Sequence, residues 1–138
     1  MRYIGLDLGT KTLGVSISDK LGLIASFYKT IEFKEEDYIS LIKPLKEIIE
    51  ENNIEKIVLG LPKNMDNSMG FASERSLNFK KMLEDNINKE VILEDERLSS
   101  VEANNIMIMS DLSRKKRKKK VDALAATIIL QRYLDRKD

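Results

Sequence analysis

The order of the apolar patterns along the chain constrains its fold more than any other feature. Residues 2–8 are typical of a buried strand, and residues 12–18 alternate apolar with small polar side chains as a half-buried strand does. Aromatic and β-branched residues predict a third strand over 23–31. Further strands are predicted over 55–61 and 89–94, and helices over 35–53, 71–87, 99–109 and 121–134.

This order of elements predicts the topology of the sheet. The short link Gly9-Thr10-Lys11 permits a hairpin, so the first three strands form an antiparallel meander. The β-α-β connections that follow place the last two strands parallel to the first. The prediction is an α/β fold of ribonuclease-H-like topology: one domain over residues 1–138, with a mixed five-stranded sheet and helices on both faces.

Two local signals refine the predicted helices. Pro44 lies inside the first one and should either kink it or stand near its true start, because proline lacks the amide hydrogen that an inner helical turn needs. Ser99-Ser100-Val101-Glu102 has the spacing of a capping box, in which a serine and a glutamate three positions later satisfy free amides at a helix start. It predicts the short helix that ends near residue 109.

The composition excludes several kinds of chemistry. The chain has no cysteine and no histidine, which excludes disulfides, thiolate nucleophiles, the usual zinc sites and histidine acid-base catalysis. An enzyme of this composition would depend on carboxylates, lysines or hydroxyls, and oxygen ligands suit Mg²⁺ or Mn²⁺. No apolar stretch is long enough for a membrane span, and the first residues lack the layout of a signal peptide. We therefore expect a cytoplasmic protein without a membrane partner.

Acidic residues in three separate elements are candidates for a metal site. Asp7 lies within an apolar strand, where a carboxylate is costly unless it is paired or bound to a metal. Asp95 and Glu96 end the fifth strand, at the edge where open α/β folds bind ligands. Asp122 opens the predicted last helix. Together they could hold the two metal ions of a phosphodiesterase.

Each acid also has a purely structural interpretation. Asp7 could cap the turn that follows it. The acidic group at the end of the fifth strand includes Glu94 as well, and at least one of its three members is expected to be merely solvated. Asp122 could be an N-terminal cap or a partner of the helix dipole.

Seven consecutive cations interrupt an otherwise balanced charge distribution. The net charge of the chain is only +1, so the run marks a local property. It could hold flanking phosphates of a nucleic acid without reading sequence, or it could be a disordered, solvated loop. The run is Arg114-Lys115-Lys116-Arg117-Lys118-Lys119-Lys120.

Four blocks of the sequence resemble the YqgF family, whose members are Holliday-junction-resolvase-like proteins also described as pre-16S rRNA nucleases. The resemblance spans essentially the whole chain. One departure is the Asn67 that follows Asp66 where the family usually has glycine, and asparagine tolerates the same backbone conformation. The blocks are Gly5 to Lys11, Leu59 to Asp66, Asp95 to Ala103 and Lys120 to Ala126.

The resemblance implies a function and a set of site residues. Asp7, one acid of the Asp95-Glu96 pair, and Asp122 would occupy the metal-binding positions of a ribonuclease-H-like nuclease with two bound Mg²⁺ or Mn²⁺ ions. Glu96 is favoured over Asp95, because its longer side chain better spans a gap of roughly 10 Å between strands. Residues implied to line the cleft are Thr10, Lys11, Asn64 and Arg97.

Several functions remain open at this stage. The favoured one is hydrolysis of pre-16S ribosomal RNA at its 5′ end during ribosome biogenesis. The alternatives are a resolvase acting on branched DNA, and a nucleic-acid-binding ribosome-assembly or transcription factor without catalysis. The first block also resembles the phosphate-binding turn of actin-like and sugar-kinase ATPases, but those proteins close two lobes over a nucleotide and 138 residues supply one. A monomer and a homodimer are both compatible with the sequence.

Overall fold

The structure is a computed structural model that describes the backbone of residues 1–62, 70–95 and 114–137, and the side chains of these residues except 71, 72 and 114–123. Five strands, a short 3-10 helix and three α-helices make up this part of the chain. In chain order they are β1 (Arg2–Leu8), β2 (Thr12–Ser18), β3 (Ala25–Glu32), the 3-10 helix (Tyr38–Leu41), α1 (Ile42–Glu51), β4 (Ile54–Leu61), α2 (Phe71–Asn86), β5 (Glu90–Asp95) and α3 (Arg114–Arg136).

The five strands form one mixed sheet in the order β3-β2-β1-β4-β5. β1 pairs antiparallel with β2, and β2 pairs antiparallel with β3. β4 is parallel to β1, and β5 is parallel to β4. The topology predicted from the order of the apolar patterns is therefore confirmed, and the strands β1, β4 and β5 end at the same edge of the sheet.

Helices cover both faces of the sheet, as predicted. One face carries the larger core, in which Leu6 and Leu59 of the sheet pack with Leu45 of α1 and Phe79 of α2. The opposite face carries a second core, which α3 covers. Its buried members are Tyr3, Val58, Ile129, Leu130 and Leu134.

Local chemistry explains two boundaries. Pro44 occupies the first turn of α1, which begins at Ile42, so its missing amide hydrogen removes no hydrogen bond within the helix. The strand predicted from residue 23 begins instead at Ala25, because the carboxylate of Asp19 accepts hydrogen bonds from the backbone amides of Leu23 and Ile24 at 2.8 and 3.0 Å. Those two residues belong to a turn.

The predicted start of the last helix was wrong. We expected it at residue 121, where the apolar pattern begins, but α3 starts at Arg114 and includes the entire basic run. Lysine and arginine are good helix formers, and the run contains no glycine or proline, so the backbone stays helical without an apolar side to reveal it. The helix predicted over 99–109 lies outside the described residues.

None of the helices that the structure describes is both long enough and apolar enough to cross a lipid bilayer.

Candidate functional site

Asp7 is a buried carboxylate close to the end of β1, with 9% of its surface exposed. Its side chain belongs to the sheet face that α3 covers, because Asp7 alternates with Gly5, and a side chain on Gly5 would meet Leu130 and Ala126 of that helix. A solvated turn carboxylate would not lie under a helix. This placement favours a functional interpretation of Asp7 over a turn cap.

Glycines flank Asp7 on both neighbouring strands. Gly14 of β2 is its direct partner across the antiparallel pair. On the other side Leu6 pairs with Leu59, so the next position of β4, Gly60, comes beside Asp7. Gly60 in turn pairs with Glu94 of β5. The strands beside Asp7 therefore bring no side chain to this row, and the next side chains along it are those of Thr30 on β3 and Glu94 on β5.

Glu94 and Asp95 lie on opposite faces of β5. Glu94 is only 5% exposed, and its carboxylate forms an ion pair with the guanidinium group of Arg136 at the end of α3. Asp95 is half-buried, pairs with Leu61, and alternates with Leu93, which packs against the larger core. Asp95 therefore lies on the face of the larger core, whereas Asp7 lies on the opposite face.

Burial and neighbouring charges shift the pKa of Glu94 in opposite directions. Burial raises the pKa of its carboxyl group above the ordinary value, while the guanidinium groups of Arg136 and then Arg132 lower the pKa. No sequence pattern predicts this environment, since Glu94 follows an apolar run and belongs to a group of three acids of which at least one was expected to be merely solvated. Its ion pair with α3 joins residues 42 positions apart, which no local pattern reveals.

α3 lies antiparallel to β1. Tyr133 packs edge-on against Tyr3, with ring centroids 5.5 Å apart, whereas the hydroxyl of Ser16 donates a 2.9 Å hydrogen bond to the carbonyl oxygen of Ala126, beside Gly5. Moving from Gly5 to Asp7 advances about 7 Å along the strand, and one helical turn before Ala126 is about 6 Å along the helix. Position 122 is one turn before Ala126 and so comes on the same side of α3.

The structural interpretations of Asp122 as a helix cap or dipole partner are excluded. Both require a residue in the first turn, but Asp122 follows the first residue of α3 by eight positions. The early start of the helix therefore removes the alternatives that the sequence had left open for Asp122.

The hairpin between β1 and β2 holds two predicted cleft residues. Thr10 and Lys11 are exposed and occupy the tip of this hairpin, which a 2.8 Å hydrogen bond from the amide of Gly9 to the carbonyl oxygen of Thr12 closes. The carbonyl oxygen of Lys11 also accepts a 2.9 Å bond from the amide of Phe33, which fixes the tip. Both residues stand at the sheet edge where β1 ends.

Other predicted site residues are outside the part described. Asn64, Glu96 and Arg97 belong to the segments 63–69 and 96–113. Asp122 and the basic run 114–120 have a described helical backbone only. Within residues 1–62, 70–95 and 114–137, no three acidic side chains of described position gather into a cluster that could hold a metal ion.

Comparison with known proteins identifies relatives along the whole chain. The family model described as "RuvX: Holliday junction resolvase" matches residues 1–136. A protein of Geobacillus sp. strain WCH70 named "Putative pre-16S rRNA nuclease" is 50% identical over 137 residues, covering 99% of both chains. The protein of the same name from Bacillus subtilis is 48% identical over 135 residues, covering 98% of both.

Solved structures share the fold at low sequence identity. Thermus thermophilus RuvC in complex with a Holliday junction substrate has a TM-score of 0.60 at 14% identity, with 98% of this chain and 94% of that chain covered. The fowlpox virus resolvase bound to Holliday junction DNA has a TM-score of 0.58 at 15% identity, covering 98% and 97%. These likenesses support the ribonuclease-H-like fold. The family model matches residues 1–136, and the relatives are about half identical along nearly their whole length. The chain therefore belongs to the RuvX family, which the four sequence blocks indicated under the name YqgF.

Proposed function

We propose that this protein is a metal-dependent nuclease that hydrolyses phosphodiester bonds of pre-16S ribosomal RNA. The observation that carries the proposal is the buried carboxylate of Asp7, which lies near the end of β1 on the sheet face that α3 covers, with glycine on both neighbouring strands. The family match and the name of the half-identical relatives support nuclease activity, and that name supports the RNA substrate.

The residues at this edge fit a hard divalent cation. Asp7, Glu96 and Asp122 would supply carboxylate oxygens, which are the ligands that Mg²⁺ and Mn²⁺ prefer. The chain has no histidine or cysteine that would favour a softer metal. The row from Asp7 through Gly60 to Glu94 also leaves lateral room, since glycine contributes no side chain to it.

The face of the sheet favours Glu96 over Asp95 as the ligand from β5. Asp95 belongs to the face of the larger core, opposite to Asp7. If the strand geometry continues by one residue, Glu96 returns to the face of Glu94 and Asp7. We therefore infer that Asp95 supports the strand end and that Glu96 is the ligand.

The chain would act by holding and neutralising the substrate. Divalent ions bound to Asp7, Glu96 and Asp122 would lower the pKa of the attacking water and stabilise the leaving oxygen. Lys11 would approach the phosphate from the tip of the β1-β2 hairpin, and Arg97 would neutralise charge from the β5 side. The cations of residues 114–120, carried on the first two turns of α3, would bind flanking phosphates.

Branched DNA is the second candidate substrate. The family is described by Holliday junction resolution, and this description is the observation that favours it. Both substrates present phosphodiesters to the same acids, so the distinction depends on how the cleft binds the shape of the nucleic acid.

The experiment compares both substrates with the same protein. Labelled precursor 16S RNA and a synthetic four-way DNA junction are incubated with the protein and Mg²⁺, Mn²⁺ or a chelator. We expect metal-dependent cleavage of the RNA that is lost in Asp7→Asn and kept in Asp85→Asn, which makes the same chemical change at an exposed site on α2. Wild-type cleavage rates in a folded Asp7→Asn variant would contradict the proposal, and cleavage of the junction alone would assign the second substrate.

A further inference from the structure

We propose that the ion pair between Glu94 and Arg136 is a positioning device, which holds α3 in place across the sheet and so sets the separation between Asp7 and position 122. The inference rests on the proposed function, because it requires Asp7 and Asp122 to share a metal site. Neither Glu94 nor Arg136 would touch the substrate.

The two partners of this pair have very different surroundings. The side chain of Glu94 is 6% exposed, whereas that of Arg136 is 62% exposed. A buried carboxylate is strongly disfavoured without a compensating charge, and an exposed guanidinium group is well solvated alone. The buried charge of Glu94 is therefore compensated only while Arg136 stays beside it. The ion pair thus holds the end of α3 near β5.

A second contact holds α3 at the other edge of the sheet. The side-chain amide of Gln131 accepts a 2.8 Å hydrogen bond from the backbone amide of Ala25, and donates a 3.0 Å bond to the carbonyl oxygen of Leu23. Gln131 thus contacts the start of β3, whereas Arg136 contacts β5, and these strands are the two edges of the sheet. Four strand spacings of about 4.8 Å separate them. The two contacts together resist rotation of the helix over the sheet.

Because α3 is a continuous helix, a rotation that displaces Arg136 also displaces the backbone at position 122. The hydrogen bond from Ser16 to Ala126 marks a fixed point between them. Arg136 follows Ala126 by ten residues, or roughly 15 Å along the helix. Position 122 precedes Ala126 by four residues, or roughly 6 Å. A displacement of more than about 1.3 Å at Arg136 therefore moves position 122 by more than the roughly 0.5 Å tolerance of a preorganised site.

Glu94 has a second connection to the site through its own strand. It precedes Glu96 by two positions, so the ion pair also fixes the strand end from which Glu96 follows. The pair thereby joins α3, whose backbone carries Asp122, to the strand that precedes Glu96 in the chain. Its loss should loosen two of the three ligands and leave Asp7 unaffected.

The test measures Mn²⁺ binding without relying on catalysis. Free Mn²⁺ is titrated by electron paramagnetic resonance in wild type, Arg136→Gln, Arg136→Lys and Glu84→Gln. We expect Arg136→Gln to weaken Mn²⁺ binding about tenfold, the lower end of the effect of residues that support metal ligands. Arg136→Lys should restore most of the affinity, since it keeps the charge. Glu84→Gln breaks an exposed pair with Lys80 on α2 and should change nothing.

A second measurement separates positioning from general stability. Amide hydrogen exchange of residues 122–126 in metal-free protein should rise in Arg136→Gln. The variant Ile49→Val lowers stability from the opposite face of the sheet, and should leave both Mn²⁺ affinity and this exchange unchanged. Excess Mn²⁺ should restore turnover of Arg136→Gln under conditions in which the metal-free variant is already folded.

Three outcomes distinguish the two proposals. Wild-type Mn²⁺ affinity in folded Arg136→Gln, together with loss of binding in Asp7→Asn, would overturn the positioning role and keep the nuclease proposal. Faster exchange at residues 122–126 in Arg136→Gln, without any Mn²⁺ binding by wild type, would overturn the metal site and keep the role of the pair in holding α3. Tenfold weaker binding with rescue by lysine supports both.

Discussion

Gly5→Ala tests how closely α3 must approach the sheet. A methyl group at this position would lie 2.5 Å from the hydroxyl oxygen of Ser16, 2.7 Å from the Cβ of Leu130 and 3.0 Å from the carbonyl oxygen of Ala126. Carbon atoms pack best at roughly 3.5–4.0 Å, so Leu130 must retreat by about 1 Å. Because Leu130 and Ala126 belong to one helix, we expect α3 as a whole to move away from β1.

The expected loss of folding stability in Gly5→Ala has two parts. Overpacking of a filled core costs about 1–3 kcal/mol, and loss of the hydrogen bond from Ser16 to Ala126 adds about 1 kcal/mol. We therefore expect Gly5→Ala to lower the free energy of unfolding by about 2–4 kcal/mol, as measured by urea denaturation. If α3 moves by about 1 Å, the Asp7–Asp122 separation changes similarly, and misplacement of that size reduces turnover by about 100-fold.

The control is Ser16→Ala, which removes the hydrogen bond without adding volume. Its loss of stability should be about 1 kcal/mol, and its loss of activity much smaller than that of Gly5→Ala. A Gly5→Ala protein whose stability stays within about 0.5 kcal/mol of wild type, the range of neutral surface substitutions, and whose turnover is unchanged would refute the close packing of α3 on β1 as the determinant of the site.

Further predictions concern the other parts of the molecule. Changing alternate members of residues 114–120 to glutamine should weaken binding to all nucleic-acid sequences alike, and should reduce the slope of log affinity against log salt by about 0.7–0.9 per lost phosphate contact; an unchanged slope would exclude these contacts. Glu96→Gln should reduce metal-dependent cleavage more than Asp95→Asn, and the reverse order in folded proteins would make Asp95 the ligand. Hydrogen bonds from the backbone amides of Ile24 and Leu23 lower the pKa of Asp19 below its ordinary value of 3.8, so its carboxylate stabilises the fold above that value and less as the pH falls through the lowered pKa. The stability difference between wild type and Asp19→Asn in urea should therefore shrink on acidification from neutral pH, and a difference that stays constant would contradict this assignment.

The sheet could be predicted because its information is local. Alternation along each strand and the length of each connection are properties of neighbouring residues, and the rule for β-α-β crossovers then orders the strands. Alternation along β5 also puts Asp95 on the face of Leu93, which packs against the larger core. Asp7 could be singled out for a similar reason, since a charged residue within an apolar strand is visible in the sequence alone.

The surroundings of Glu94 and Asp122 could not be predicted, because they depend on where α3 starts and ends. The basic run has no apolar periodicity, so the beginning of the helix at Arg114 leaves no hydrophobic signal. The burial of Glu94 depends on Arg136, which is distant in sequence. Sequence reasoning identifies such acids, but only the packed helix shows that Glu94 is an ion-pair partner and that Asp122 is not a helix cap.

The long interval between Ser16 and Ala126 also determines when the nuclease site can form. Their hydrogen bond joins positions 110 residues apart, and translation at about 5–20 residues per second makes them on the order of 5–20 s apart. Until α3 has been synthesised, the sheet face that carries Asp7 is uncovered, and the residue at position 122 does not yet exist. A nascent or prematurely terminated chain that ends before α3 therefore holds Asp7 and Glu96 of the proposed site without Asp122, and we expect it to be inactive.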